Sequence, residues 1–248
     1  MPHPKLLLLA LSFYTRLPHP QGLDYQQLPQ AAVYLPLIGW IVGAISACVF
    51  YLADFFWSQS TSVILALMIG ILATGALHED GLADVCDGFG GGFNQQRILE
   101  IMKDSHIGVY GVLGILLMLL LKFSLLASMP LDIVPFALLC GHSISRLSPL
   151  ILMKVYTYIR EYNCKASGAI YTPEYLELSF AGIIALLPLT LLPWLCTLAI
   201  FPVLLATKCL GHYIHHRLGG YTGDCLGASQ QIAEITFYLS LSALWTFI

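Results

Sequence analysis

The chain has 248 residues, of which 58% are hydrophobic and only 10% are charged. Because ordinary soluble domains carry about 25% charged residues, this composition excludes a typical soluble globular protein. The mean hydropathy of +0.78 and several apolar runs of roughly 20 residues predict an all-α, polytopic integral membrane helical bundle embedded in the lipid bilayer. The net charge of -3 offers no basic surface for nucleic acid. The seven cysteines form no C-x-x-C pair, so we expect reduced core residues rather than a disulfide framework.

The apolar runs predict about six or seven transmembrane helices in a single catalytic membrane domain over residues 1–248. The first run, behind Lys5, is too short to cross a bilayer and predicts an interfacial or re-entrant helix. Residues 31–53 form the first predicted span, where Gly39 and Gly43 have the spacing of small residues at a close helix–helix contact. Further spans are predicted over residues 62–77, 109–129, 133–153 and 232–248, and long polar loops over residues 78–107 and 154–177.

The segment 178–210 is long for one helix and contains Pro188 and Pro193, so we interpret it as a hairpin of two short helices. A hairpin places the N-terminus and all the long loops on one side of the membrane. That side then holds nine of the eleven Lys and Arg residues, namely Lys5, Arg16, Arg97, Lys103, Lys154, Arg160, Lys165, Lys208 and Arg217. The positive-inside rule therefore predicts a multi-pass protein whose long loops face the cytoplasm.

An acidic stretch, HEDGLADVCDGFGGG, follows the second predicted span and runs from His78 to Gly92. On a helix, the side chains of Asp80, Asp84 and Asp87 lie within about 60° of one another. Three carboxylates on one helix face repel unless a cation neutralises them. Oxygen ligands at the end of a bundle suit Mg²⁺, which shares its ligand shell with substrate phosphates. We therefore predict a Mg²⁺–diphosphate site, and the alternative is a solvated acidic helix end.

Two basic residues lie inside apolar spans, where each needs a partner or a route to the interface. We interpret Arg146 as a candidate clamp for a phosphate. For Lys122, snorkelling to the interface and a functional role are both open.

Two further clusters precede predicted spans. Lys103, Asp104 and Ser105 end the first long loop, where Asp104 and Ser105 are also candidates to cap the next helix. Thr222 and Asp224 stand in a glycine-rich turn that, taken alone, indicates a loop and a helix cap. Beside the acidic stretch on the same side of the membrane, this turn becomes a candidate second half of the site.

Six blocks of sequence carry a resemblance to a known family. They are residues 11–18 (LSFYTRLP), 36–39 (PLIG), 78–88 (HEDGLADVCDG), 101–111 (IMKDSHIGVYG), 145–146 (SR) and 219–228 (GGYTGDCLGA). In this order they resemble the cobalamin synthase family, adenosylcobinamide-GDP ribazoletransferase. The resemblance implies a Mg²⁺-dependent enzyme of the bacterial inner membrane that joins adenosylcobinamide-GDP to α-ribazole or its 5′-phosphate and releases GMP. Two departures are visible, His106 where Arg is expected and Gln231 where some members carry Glu, and neither is assigned a role.

The resemblance and the acidic site combine into one hypothesis. The ribose 3′-hydroxyl attacks the phosphorus on the cobinamide side, with Mg²⁺ on the three aspartates and GMP leaving. Arg146 or Lys103 meets the charge on the phosphoryl oxygens, and Asp104 or Asp224 accepts the hydroxyl proton. Expected substrate contacts are His78, Gly81, Gly88, Ser105, Tyr110, Gly220, Thr222 and Gly223. A second copy of the chain and other corrinoid-pathway enzymes are possible partners.

Three other functions are weighed against this one. A CDP-alcohol phosphotransferase would carry D-G-x-x-A-R, but position 84 is Asp where Arg is expected. A prenyltransferase would carry a second D-x-x-x-D block in the later half, where only Asp224 and Glu234 stand. A transporter would place its acids in mid-membrane on broken helices, whereas here we expect them in loops.

Overall fold

The computed structural model describes residues 4–20, 22–159 and 171–247, which form an all-helical bundle. In chain order the α-helices of these residues are α1 (Pro4–Tyr14), α2 (Leu28–Ala31), α3 (Leu35–Asp54), α4 (Gln59–Thr74), α5 (Leu77–Gly91), α6 (Gln95–Ile101), α7 (Val109–Ala127), α8 (Val134–Ser145), α9 (Leu147–Val155), α10 (Tyr175–Leu186), α11 (Ile200–Leu218) and α12 (Gly223–Trp245). The predicted loop 154–177 falls in part outside the described residues, and so do Arg160 and Lys165 within it.

Among the described helices, four segments are long and apolar enough to cross a bilayer, namely Tyr25–Asp54, Val109–Ala127, Val134–Val155 and Trp194–Leu218. The pair α4 and α5 adds a fifth if it forms one broken span, since the two helices are bent by 89°. Helix α1 and the segment Tyr175–Leu191 are apolar but shorter. The prediction of an all-α membrane bundle is confirmed, and the number of six or seven spans stays a prediction.

The segment 178–210 breaks at its prolines, as the hairpin interpretation requires. Helix α10 continues into the 3-10 helix Leu187–Leu191, and Leu192 is extended. A second 3-10 helix, Trp194–Ala199, follows Pro193 and leads into α11. Proline lacks an amide hydrogen and its ring crowds the preceding turn, so a single long helix does not form here.

Two predicted boundaries were wrong. The polar segment 78–107 is not a loop throughout, because it contains α5, which confirms the helix assumed for the acidic stretch, and also α6. Helix α12 begins at Gly223 rather than at residue 232. Hydropathy missed the first half of α12 because that half is polar yet buried, as Gln230 and Gln231 show with 1% and 2% exposure. These polar turns pack against α5, where Gly81 and Gly227 let the two helices approach closely.

Helices α3 and α8 pack as closely as the spacing of Gly39 and Gly43 predicts. A Cβ on Gly43 would lie 2.9 Å from the Cα of Leu139, and a Cβ on Gly39 would clash with the backbone of His142. Two hydrophobic clusters fill the bundle. One includes residues of α1 and α5, and the other includes residues around the connection from the end of α7 to the start of α8. The helices that carry the predicted site are therefore fixed against a packed core.

The corner between α4 and α5 sets the direction of the acidic helix. Gly75 and Ala76 both adopt left-handed conformations, with φ of 65° and 60°. Glycine tolerates this conformation, whereas a non-glycine residue needs the surrounding contacts to hold it. One such contact is the Arg16 amide, which donates to the carbonyl of Ala73 at 2.7 Å. The turn sends α5 away from α4 and along α12.

Candidate active site

Helix α5 carries the acidic stretch and exposes its carboxylates unequally. Asp80 is exposed, Asp84 is partly buried and Asp87 is buried. The two carboxylate oxygens of Asp87 accept hydrogen bonds from the amides of Gly108 at 2.7 Å and Gly111 at 2.8 Å. These amides open helix α7, whose first residues have no helical acceptor, so Asp87 caps α7 from a distance in sequence. The predicted local cap by Asp104 or Ser105 is therefore wrong.

This use of Asp87 changes the predicted metal site. In the described part of the chain, no three His, Cys, Asp or Glu side chains come close enough to hold one ion. The predicted trio does not converge, because Asp87 turns toward α7 while Asp80 and Asp84 remain on the open face. Mg²⁺ commonly uses one or two protein carboxylates and completes its shell with water and substrate phosphates. The donor set of Asp80 and Asp84 fits such a shared site.

The two halves of the predicted site meet where α5 crosses the start of α12. A Cβ on Gly81 would lie 2.8 Å from the carbonyl oxygen of Asp224, so only glycine permits this approach. Thr222 is the N-cap of α12 and accepts from the amide of Cys225 at 3.4 Å. The contact places Asp224 beside Gly81, and Asp84 follows Gly81 by one helical turn.

The turn before α12 is held by a short backbone pairing. Tyr221 donates its amide to Thr157 at 2.9 Å, and Ile159 donates its amide to Tyr221 at 3.1 Å. Gly220 fits against Thr157, where a Cβ would clash with the carbonyl oxygen. A Cβ on Gly223 would meet nothing within 4 Å, so this glycine borders open space. Two of the four glycines predicted to contact substrate lie in this turn, where Gly220 has a packing role and Gly223 lies on the open side.

The loop before α7 is exposed, including Lys103, Asp104 and Ser105. Asp104 accepts hydrogen bonds from His106, from its ring Nδ1 at 2.7 Å and from its amide at 3.0 Å. Hydrogen bonding from His106 lowers the pKa of Asp104, and a carboxylate with a lowered pKa is a weaker base. Asp104 therefore has His106 as a local partner in an exposed loop.

Two other predicted substrate residues pack against neighbouring helices. A Cβ on Gly88 would lie 2.6 Å from the side chain of Met102. Gly90 makes room for the ring of Tyr110, which would lie 2.5 Å from a Cβ at that position. Gly88 therefore fits α5 against the end of α6, and Tyr110 covers the end of α5 while keeping about half of its surface exposed.

A buried polar cluster lies among α5, α7, α8 and α12. The Lys122 ammonium lies 3.0 Å from a carboxylate oxygen of Glu234 and donates to Gln231 at 2.8 Å. Gln231 in turn donates to Glu79 at 3.0 Å. Lys122 is only 3% exposed, so it does not snorkel to the interface. The roles of the acids and amides in this cluster were not predicted from the sequence. The signal present there is the polar i, i+4 pair of Gln230 and Glu234 inside α12.

Arg146 belongs to the same cluster rather than to the loops. It is 1% exposed and donates to the carbonyl of His142 at 2.8 Å. Its Nε and the Oε2 of Glu79 are buried without a hydrogen-bond partner in the described residues, beside a cavity of about 20 Å³ that His78 also lines. A polar cavity of this size holds about one water molecule. The guanidinium thus lies behind the first turn of α5, inside the bundle.

The match to known proteins covers nearly the whole chain. A family model for cobalamin-5-phosphate synthase matches residues 6–242. The chain belongs to the cobalamin synthase family. Curated relatives named adenosylcobinamide-GDP ribazoletransferase include one from Shewanella amazonensis, 44% identical over 98% of this chain and 96% of the relative. A second, from Shewanella frigidimarina, is 40% identical over 96% of this chain and 94% of the relative. A third, from Ralstonia pickettii, is 38% identical over 97% of this chain and 96% of the relative. No solved structure matches the chain.

Family membership confirms the resemblance drawn from the six sequence blocks. Within this cobalamin synthase chain, the blocks 78–88 and 219–228 meet at the contact of Gly81 with Asp224. The block 101–111 joins them through the bonds from Asp87 to Gly108 and Gly111. Three blocks distant in sequence therefore form one continuous region.

Proposed function

We propose that the chain is an adenosylcobinamide-GDP ribazoletransferase, which joins adenosylcobinamide-GDP to α-ribazole or its 5′-phosphate and releases GMP. The observation that carries the proposal is the match to the family and to relatives of that name over nearly the whole chain. The meeting of the acidic helix α5 with the start of α12 supports it, because carboxylates that can hold Mg²⁺ and the amides at a helix N-terminus then lie at one place, and both Mg²⁺ and such amides bind a diphosphate.

Asp80 and Asp84 are the proposed ligands of Mg²⁺. Asp224 lies across the contact between α5 and α12 and has a separate role. When bound, the ion would neutralise the diphosphate oxygens and so favour departure of GMP. The fit rests on oxygen donors spaced one turn apart on an open helix face. The carboxylate of Asp87 instead holds the start of α7 against α5.

In the proposed reaction, the acceptor's ribose 3′-hydroxyl forms a new bond to the phosphorus on the cobinamide side. The bond from that phosphorus to the bridging oxygen breaks, and GMP leaves with this oxygen. Asp224 receives the hydroxyl proton, since it lies at the contact with α5, whereas Asp104 lies in an exposed loop. Lys103 supplies positive charge from the exposed loop, and Arg146 supports the first turn of α5 from inside the bundle.

The test is GMP release by purified protein in lipid with adenosylcobinamide-GDP, α-ribazole and Mg²⁺. Asp84→Asn removes one charge with little change in shape, and we expect loss of product. Asp132→Asn is the matched control, because this exposed aspartate stands beyond the opposite end of α7. Absence of product from well-folded wild type would refute the transferase, and equal activity in Asp84→Asn would remove that carboxylate from the site.

We place the enzyme in the bacterial inner membrane with its long loops in the cytoplasm. The distribution of Lys and Arg supports this orientation, since the predicted short turns carry none. Lys103→Cys gives a thiol in an exposed loop that a membrane-impermeant reagent can reach from one side only. Labelling in inside-out vesicles but not in intact cells is the expected result, and the reverse pattern would overturn the orientation.

A further inference from the structure

A second, larger cavity lies where the end of α1 meets the corner between α4 and α5. Its volume is about 450 Å³, within the range of roughly 300–1,000 Å³ that small-molecule sites occupy. Its lining includes Ser12, Phe13, Arg16, His19, Thr74 and Leu77. None of them belongs to the predicted site residues, so this Arg16 cavity has no assigned function.

Arg16 is held in place over this cavity. Its amide donates to the carbonyl of Ala73 at 2.7 Å, which ties the segment after α1 to the end of α4. Its side chain crosses Gly75 so closely that a Cβ there would clash with the guanidinium Nε. Among the described residues, Arg16 forms no ion pair with a carboxylate. A positioned guanidinium without an acidic partner at a cavity is suited to bind an anion in two-point fashion.

The other polar groups of the cavity complement a sugar phosphate. The Nδ1 of His19 lies 3.2 Å from the carbonyl of Leu17 and must donate to it, which leaves Nε2 for a ligand. The hydroxyls of Ser12 and Thr74 donate to backbone carbonyls at 2.8 Å and 3.1 Å. Their remaining lone pairs can accept hydrogen bonds from ligand hydroxyls. The cavity thus offers the guanidinium of Arg16 for a phosphate, acceptors for a sugar and the apolar surface of Phe13 for a base.

The Arg16 cavity also lies in line with the carboxylates. Leu77, which lines it, is the first residue of α5, and Asp80 and Asp84 follow on the same face of that helix within about 60°. Along the helix axis they stand about 4.5 Å and about 10.5 Å beyond Leu77. The Arg16 cavity and the carboxylates therefore border the same face of α5, with Asp80 nearer to the cavity than Asp84.

We infer that the Arg16 cavity binds the acceptor substrate by its 5′-phosphate and ribose. The inference rests on the proposed transferase function and adds a basis for preferring α-ribazole 5′-phosphate over α-ribazole. The two acceptors differ only in the phosphate monoester, so they report on the Arg16 contact directly.

The experiment measures KM and kcat for both acceptors with wild type, Arg16→Gln and the control Arg97→Gln. Arg97 pairs with Glu100 on an exposed helix face, where such a pair contributes little to stability. Loss of a charge-assisted contact corresponds to roughly a 10- to 100-fold rise in KM for the phosphorylated acceptor in Arg16→Gln. The KM for α-ribazole stays within about twofold by the same reasoning, and Arg97→Gln changes neither.

A binding measurement without turnover separates this inference from the transferase proposal. Ribose 5-phosphate raises the melting temperature of wild type but not of Arg16→Gln, and ribose raises neither. Equal effects of Arg16→Gln on the KM for both acceptors would overturn the inference, because Arg16 would then support the fold. A rise only in the KM for adenosylcobinamide-GDP would also overturn it, because Arg16 would then bind the donor substrate. Wild type that binds ribose 5-phosphate yet forms no product would refute the transferase alone.

Discussion

The buried pair of Lys122 and Glu234 predicts a large cost for removing the lysine. Lys122→Met keeps a side chain of similar length and deletes the ammonium, which lies 3.0 Å from Glu234 and 2.8 Å from Gln231. Glu234 is 1% exposed, so its negative charge would remain buried without its cation. Breaking a buried ion pair from one side costs about 3–5 kcal/mol. Glu234 keeps hydrogen bonds from Gln230 at 2.9 Å and Tyr238 at 3.1 Å, so we expect a cost of about 3 kcal/mol.

The assay is equilibrium unfolding in detergent, or the melting temperature in lipid, for the single and double variants. Lys122→Met with Glu234→Gln removes both charges, so we expect it to recover more than half of the lost stability. Lys208→Met is the control, because Lys208 is exposed on α11 and its loss strands no buried charge. A loss below about 1 kcal/mol in Lys122→Met, or no recovery in the double variant, would refute the buried pair and restore the snorkelling interpretation.

Three further predictions concern the site. Asp87→Ala removes the acceptor for two amides of α7 and should cost about 2–3 kcal/mol in unfolding free energy, measured by melting in lipid, while Asp87→Asn keeps one acceptor and loses less. Gly81→Ala pushes the start of α12 away from α5 and should reduce GMP release at least about tenfold, whereas Gly182→Ala, with nothing within 4 Å, should leave it unchanged. Hydrogen bonds from His106 lower the pKa of Asp104 in the folded state. The stabilisation from the contact of Asp104 with His106 is therefore present at pH values above the ordinary aspartate pKa, and it is lost as the pH falls through the lowered pKa of the folded state. His106→Gln should return the carboxylate to its ordinary titration, followed by its infrared band; an unchanged titration would show that His106 does not hold it.

Much of the fold was predictable because a bilayer imposes a simple rule on sequence. Apolar runs of sufficient length become helices, since every backbone amide and carbonyl must find a partner inside the membrane. The rule located α3, α4, α7 and the break at Pro193. It failed for α5 and the start of α12, because those helices face each other rather than lipid and need not be apolar.

The candidate site was predictable in composition but not in geometry. The spacing of Asp80 and Asp84 follows from helical periodicity, so the sequence alone indicated one carboxylate face. Sequence periodicity also grouped Asp87 with them, although its carboxylate binds two amides more than twenty residues away. A long-range hydrogen bond leaves no periodic signal, so only the folded chain distinguishes the capping aspartate from the other acidic residues of α5.

The sequence by itself determined the membrane class, the helical architecture and the family, because hydropathy and ordered motifs are local properties of the chain. The tertiary structure decided which charges are buried together. Lys122 on α7 and Glu234 on α12 come from distant parts of the sequence, and each alone looks like a costly residue in an apolar helix. Their pairing, and the approach of Asp224 to Gly81, depend on how α12 packs against its neighbours, which no local pattern encodes.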